Sequence, residues 1–173
     1  MLALVHLTIG IAAIMVVTVA ALQDVRERLI GNRLVVQLLG AGILHQVMLA
    51  DGFTDWLTIA GSALALAAIV FAIGFVTWRL GGLGGGDVKL LVAACFFVGS
   101  EGALVLFAGV ALAGGALALA YLVMPRFLPI PTAPSAPAAA LGSKDHSPTL
   151  PYGVAIAAGF ACAVVPSLPI LIG

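Results

Sequence analysis

Residues 81–90 read GGLGGGDVKL. Five glycines and one aspartate separate two long apolar runs, and the reading of this link decides both fold and chemistry. A carboxylate is costly beside hydrocarbon, so Asp87 needs a reason to stand there. Local chemistry offers two. Aspartate caps helix N-termini, and a helix starting at Val88 would be capped by Asp87. Aspartate also performs general acid–base chemistry. Without side chains, Gly84 and Gly86 let a second backbone approach it closely. The stretch alone leaves both readings open. It is not a phosphate loop, because Gly81-x4-Gly86 is followed by Asp-Val where Lys-Ser/Thr is required, and no strand with GxGxxG is present.

The surrounding composition sets the environment. Of 173 residues, 63% are hydrophobic and 8% charged, against roughly 25% charged in soluble domains. The chain therefore reads as an all-α polytopic membrane protein, a single domain over 1–173 built as a bundle of about six transmembrane helices. The spans are expected at about Leu2–Leu22, Leu34–Ala50, Trp56–Trp78, Val88–Gly99, Ala103–Met124 and Tyr152–Ile172. The first is too long for a signal-peptide core and has no preceding Lys or Arg, so it reads as a retained helix. The fourth is short for a bilayer. The glycine segment before it must then be buried against protein. Runs of Ala and Gly in the later helices predict close backbone approach. Formal net charge is zero, which excludes a nucleic-acid patch. Cys95 and Cys162 form no CxxC, so a zinc ribbon or thioredoxin-like site is not expected and both read as packing residues.

Charge gives orientation. Arg26, Arg28, Arg33, Arg79, Lys89, Arg126 and Lys144 fall in alternate links, on one side. Asp51, Asp55 and Glu101 fall on the other, with no Lys or Arg. The positive-inside rule makes the basic side cytoplasmic and puts both termini outside. Residues 125–151 form a cytoplasmic loop rich in proline, expected to be a flexible linker. Asp24 ends the first helix and Asp87 opens the fourth, both at the cytoplasmic face. If helices 1 and 4 are neighbours, the two carboxyl groups meet. Such a pair shares a proton. One carboxylate then activates water while the other donates to the carbonyl under attack, with no cofactor and no metal.

These segments resemble the type IV prepilin peptidases, intramembrane aspartic proteases with a GxGD signature. Gly84-Gly85-Gly86-Asp87 is similar to that signature. Asp24-Val-Arg-Glu-Arg-Leu-Ile-Gly-Asn32 is similar to the family's D-x-x-x-R-x-I-P-N segment, with Gly31 in place of proline. Leu150-Pro-Tyr-Gly153 is similar to its Pro-aromatic-Gly segment. The resemblance implies Asp24 and Asp87 as catalytic residues. It implies substrates that are prepilins or pseudopilins with a basic leader and an apolar helix. It implies a bacterial inner membrane, with the active site on the cytoplasmic side. The chain lacks the CxxC-bearing cytoplasmic segment of longer members and resembles the short form of tight-adherence (Flp-type) pilus systems. N-methylation is not expected. An archaeal-type preflagellin peptidase and a small ion- or proton-coupled transporter are the alternatives.

Around the aspartates, Gly84 and Gly86 are expected to shape the backbone. Lys89 either biases the ionisation of the pair or snorkels to the interface. Arg28 and Asn32 either organise the turn after Asp24 or anchor the interface. Glu27 and Asp145 are candidates to attract a basic leader. His6 and His45 lie toward the outer ends of helices 1 and 2, and His146 lies in the long loop. Metal sites need convergent ligands, and the histidines read as structural.

Overall fold

A computed structural model describes residues 2–27, 29–123 and 152–167. Among these residues all regular structure is helical: α1 (Leu2–Glu27), α2 (Asn32–Leu49), α3 (Phe53–Arg79), α4 (Gly85–Val123) and α5 (Tyr152–Val164), followed by a 3₁₀ turn at Val165–Ser167. Helices are what an apolar chain must form in lipid, because each satisfies its own backbone. Three stretches are long and apolar enough to cross a membrane, Leu4–Glu27, Phe53–Arg79 and Gly85–Ala120. Their outward residues are apolar too. Leu64, Ile73, Leu104, Leu112 and Leu119 are all exposed.

The expected six stretches appear as five helices, because the fourth and fifth are joined in α4. Gly99 breaks that helix with φ 65° and ψ −168°, a left-handed φ that favours glycine. The chain reverses there, as the contacts on either side show. In the first half, Phe97 stacks edge-on against Phe160 at 5.2 Å, so this half runs parallel to α5, from the Gly153 end toward the Phe160 end. In the second half, a Cβ on Gly109 would lie 2.6 Å from Gly159 and one on Gly114 would lie 3.7 Å from Ala155. That half therefore runs back, antiparallel to α5. Gln46 supports the break. Its Nε2 donates to the Phe96 carbonyl at 2.8 Å, a carbonyl whose helical partner would be the N–H of Ser100, just beyond Gly99.

Other contacts order the remaining helices. The Val88 side chain fills the space above Gly74, and Trp78 lies over Gly85, so α3 runs antiparallel to the first half of α4. Gly42 packs on Phe96 and Phe97, while Asn32 meets Lys89, so α2 runs parallel to it. The core holds Val17, Leu38, Leu90, Cys95, Leu106 and Phe160. Cys95 is buried and Cys162 is exposed, and both are free thiols.

Two helix boundaries differ from expectation, and both matter for the site. The first helix does not stop at Leu22 but continues to Glu27, which puts Asp24 inside it. The fourth starts at Gly85, so Asp87 lies within its first turn and does not precede it. The glycines ahead of it end α3. Gly81 has φ 80°, and the N–H groups of Gly81 and Gly82 return to the carbonyls of Trp78 and Thr77 at 3.0 and 2.9 Å, a glycine C-terminal cap. The proline-rich loop at 125–151 and the charged side chains it carries lie outside the described residues.

The α4–α5 seam depends on missing side chains. A Cβ on Gly159 would come within 2.6 Å of the Leu106 carbonyl and the Val110 nitrogen, atoms of backbone that cannot swing away. Gly159→Val is expected to lower stability by about 3 kcal/mol, the upper part of the range for overpacking. Gly61→Ala, where a Cβ meets nothing within 4 Å, is expected to cause no loss. Thermal unfolding of both variants in detergent checks the pair.

Candidate active site

One end of the bundle gathers polar groups that the sequence spreads over 130 residues. Asp24 comes from the last turn but one of α1 and Asp87 from the first turn of α4. Each is only 7% exposed. They are close enough for the charge of Asp24 to act on Asp87. Two like charges brought together away from water repel far more strongly than they do in solution.

The two carboxyl groups are supported differently. Asp24 Oδ2 accepts a hydrogen bond from the backbone N–H of Gly153 at 2.9 Å. That N–H belongs to the first turn of α5, where helix amides are free to donate outward and negative charge is stabilised. Asp87 also sits in a first turn, and its carboxyl group bonds the backbone of Gly84. The helix-cap reading of Asp87 thus holds in part. Its other oxygen, Oδ1, is buried with no hydrogen-bond partner among the described residues. Buried polar atoms are rarely left so, and a carboxylate oxygen facing no protein donor is free to bind a water or a substrate group.

The glycines permit this closeness. A Cβ on Gly84 would lie 2.7 Å from Asp87 Oδ2. One on Gly86 would lie 3.1 Å from Ile30 Cβ and 3.4 Å from Ile30 N, so the segment after Asp24 packs directly on the start of α4. One on Gly153 would come within 2.9 Å of both Cβ and Oδ2 of Asp24. Asn32 and Lys89 also meet here, with Lys89 Nζ donating to Asn32 Oδ1 at 3.1 Å on the exposed rim. The lysine is held at the edge and ties α2 to α4.

Of the residues singled out in the sequence, Asp24, Asp87, Gly84, Gly86, Asn32 and Lys89 converge. Arg28 lies outside the described residues, as do Asp145 and His146. Glu27 is exposed beside the site at the end of α1. His6 and His45 lie at the opposite end. Sequence reasoning named Gly153 only within a segment similar to the family's Pro-aromatic-Gly, with no role at the aspartates. Its place against Asp24 needed the packing of α5 on α1. Trp78, over Gly85, carried no sequence signal.

The Asn32–Lys89 bond is exposed and charge-assisted. A double-mutant cycle with Asn32→Ala and Lys89→Met is expected to return a coupling of about 0.2–1 kcal/mol, no more than an exposed ion pair gives, since only the lysine is charged. Unfolding of the wild type, both single variants and the double variant measures it.

A family model described as the type IV leader peptidase family matches residues 11–119. The match takes in both aspartates and both glycine contacts at Gly84 and Gly86. No curated protein and no solved structure gives a match.

Proposed function

The chain belongs to the type IV leader peptidase family, and on that premise we propose that it is an aspartic endopeptidase that removes the leader of prepilins or pseudopilins, with Asp24 and Asp87 as the catalytic pair. Membership implies protease activity. The observation that carries the finer reading is the meeting of two buried carboxyl groups from α1 and α4, one of them with an oxygen that has no protein partner. The reaction needs a base for water and an acid for the peptide carbonyl, and a pair sharing one proton supplies both. Water adds to the carbonyl carbon as the ionised carboxylate takes its proton. The protonated carboxyl donates to the carbonyl oxygen. Collapse of the tetrahedral intermediate returns a proton to the leaving nitrogen, and the C–N bond breaks.

Family membership suggests a prepilin-type substrate, a basic leader followed by an apolar helix. Arg26, Arg33, Arg79 and Lys89 lie at the aspartate end, and Asp51, Asp55 and Glu101 at the other. By the positive-inside rule the aspartate end is cytoplasmic and both termini face outward. The reversal at Gly99 supports six membrane passes. The membrane in this reading is the bacterial inner membrane. The pilus system is of the tight-adherence (Flp) type. Its short form carries out cleavage without N-methylation. Glu27, exposed at the rim, is a contact for the leader's basic residues. Gly84, Gly86, Arg28, Asn32 and Lys89 shape and frame the pair.

In membranes holding the chain and an Flp-type prepilin with a glycine-ended leader, wild type is expected to convert the prepilin to its shorter mass. Asp24→Asn and Asp87→Asn are each expected to reduce conversion at least about 10³-fold while inserting normally, since loss of one member of a catalytic unit removes nearly all its rate. Gly153→Ala, which pushes on Asp24, is expected to fall between them and wild type. Cleavage retained in either asparagine variant refutes the pair.

A further inference from the structure

Residues 81–86 are five glycines around Leu83, and a link of this kind has little stiffness of its own. The start of α4, where Asp87 stands, therefore takes its position from what packs on it. Ile30 meets Gly86 and Asn32 meets Lys89, both from the link and helix start that follow α1. Trp78 comes from α3 and covers Gly85. A Cβ on Gly85 would lie 3.3 Å from Trp78 Nε1, 3.6 Å from Cδ1 and 3.9 Å from Cε2. The edge of the five-membered ring thus rests against the Gly85 backbone, and the close fit depends on glycine there.

The indole is itself held. Phe75, one turn earlier on α3, packs its ring 5.5 Å from that of Trp78, with planes tilted by 43°. The Trp78 carbonyl accepts the Gly81 N–H at 3.0 Å, so its backbone is tied into the cap that ends α3. One turn deeper, a Cβ on Gly74 would come within 2.7 Å of Val88 Cγ1, so the same two helices touch again just past Asp87. A tryptophan at a membrane surface needs no protein contact to be stable among headgroups. Trp78 is 45% exposed and yet turns its N–H edge onto a helix start.

The place of that contact matters for Asp87. Two residues along a helix turn through about 200°, so Gly85 and Asp87 occupy nearly opposite sides of the first turn of α4. Trp78 bears on one side. The Asp87 carboxyl stands on the other, within reach of the charge of Asp24. A turn that slipped toward the space left by a missing indole would draw Asp87 away from Asp24.

We propose that Trp78 is a positioning residue for the aspartate pair, its indole backing the first turn of α4 and fixing where Asp87 stands relative to Asp24. It touches no reacting atom. Its effect on rate rests on the peptidase reading, and its effect on the approach of the two carboxyl groups does not.

Cleavage of an Flp-type prepilin in membranes, followed over a range of prepilin concentrations, measures the first effect. Trp78→Ala is expected to lower kcat about 10²-fold, the cost of roughly 1 Å of misplacement, and to leave KM unchanged. Trp78→Phe, which keeps a ring at this position, is expected to recover most of the rate. Leu80→Ala, at an 81% exposed position two residues away, is expected to cleave as wild type does. A full kcat in Trp78→Ala overturns the assignment, and so does a loss confined to KM. Should Trp78→Ala not fold, Gly85→Ala decides in its place. Its Cβ would press on the indole from the helix side and is expected to lower kcat, and a full kcat there also overturns the assignment.

The second effect is read without cleavage. In a chain carrying Cys95→Ala and Cys162→Ser, Asp24→Cys and Asp87→Cys are introduced together. The rate of disulfide formation under a mild oxidant is then measured in detergent. Adding Trp78→Ala, or Gly85→Ala in its place, is expected to slow it several-fold. Equal rates overturn the assignment, and so does the absence of a disulfide in both chains. If wild type cleaves no prepilin, the peptidase reading falls and the disulfide rates alone decide the role of Trp78. If wild type cleaves and the disulfide rates are equal, the peptidase reading stands and the role of Trp78 falls.

Discussion

The hydrogen bond from the Gly153 amide to Asp24 secures the last helix against the first, and it forms only because residue 153 has no side chain. With a Cβ there, α5 would have to move away from α1, and Asp24 would lose its donor. The same geometry recurs around Asp87, where Gly84 leaves room for the carboxylate and Gly86 leaves room for Ile30. Two acidic groups can be drawn out of water at this end because backbone amides at helix starts face them. Among the described residues no side chain of opposite charge pairs with either one. The arrangement keeps both carboxyl groups buried while leaving each a backbone amide beside it.

The rest of the bundle follows the same logic of close approach. In lipid no hydrophobic force drives helices together, so contact comes from packing of small residues. Gly42 against Phe97, Gly74 against Val88 and Gly109 against Gly159 draw α2, α3 and α5 onto α4. α4 is the hub, since each of its halves meets different neighbours. Among the described residues the buried polar side chains, His6, Asp24, Gln46 and Asp87, lie at its two ends. One end carries carboxyl groups supported by amides, and the other carries imidazoles and an amide side chain.

Much of this was legible in the sequence. Composition and the charge bias gave the membrane class, and the spacing of Asp24 and Asp87 from the span ends put both at one face. Gly84, Gly86, Asn32 and Lys89 were identified from their motif positions and lie together in space. What escaped was tertiary. Gly153 carries no local sign of touching Asp24, because the contact joins residues 129 apart. The break between the fourth and fifth expected spans falls at Gly99, where the fourth was expected to end, but its tightness turns on the φ of Gly99, and nothing in Val-Gly-Ser distinguishes a bend there from a longer loop. The pairing of His6 with His45 required α1 and α2 to be in register. Helix ends misjudged by a few residues placed Asp87 before its helix, when it belongs within the first turn.

The bend at Gly99 also bears on the lipid. The part of α4 before it, residues 85–98, is roughly 21 Å long at 1.5 Å per residue. The hydrocarbon layer of a bilayer is about 30 Å thick. A segment this short, with Asp87 at one tip and the reversal at the other, cannot be matched by an undisturbed membrane. A stretch that short is accommodated by local thinning of the bilayer, by snorkelling of flanking residues or by association with neighbours, each at a cost of fractions of a kcal/mol per ångström. Where the bilayer thins, headgroups and water come closer to the Asp87 end of the stretch. A peptide bond that lies just inside the membrane on an approaching helix would meet water there without its helix having to leave the lipid.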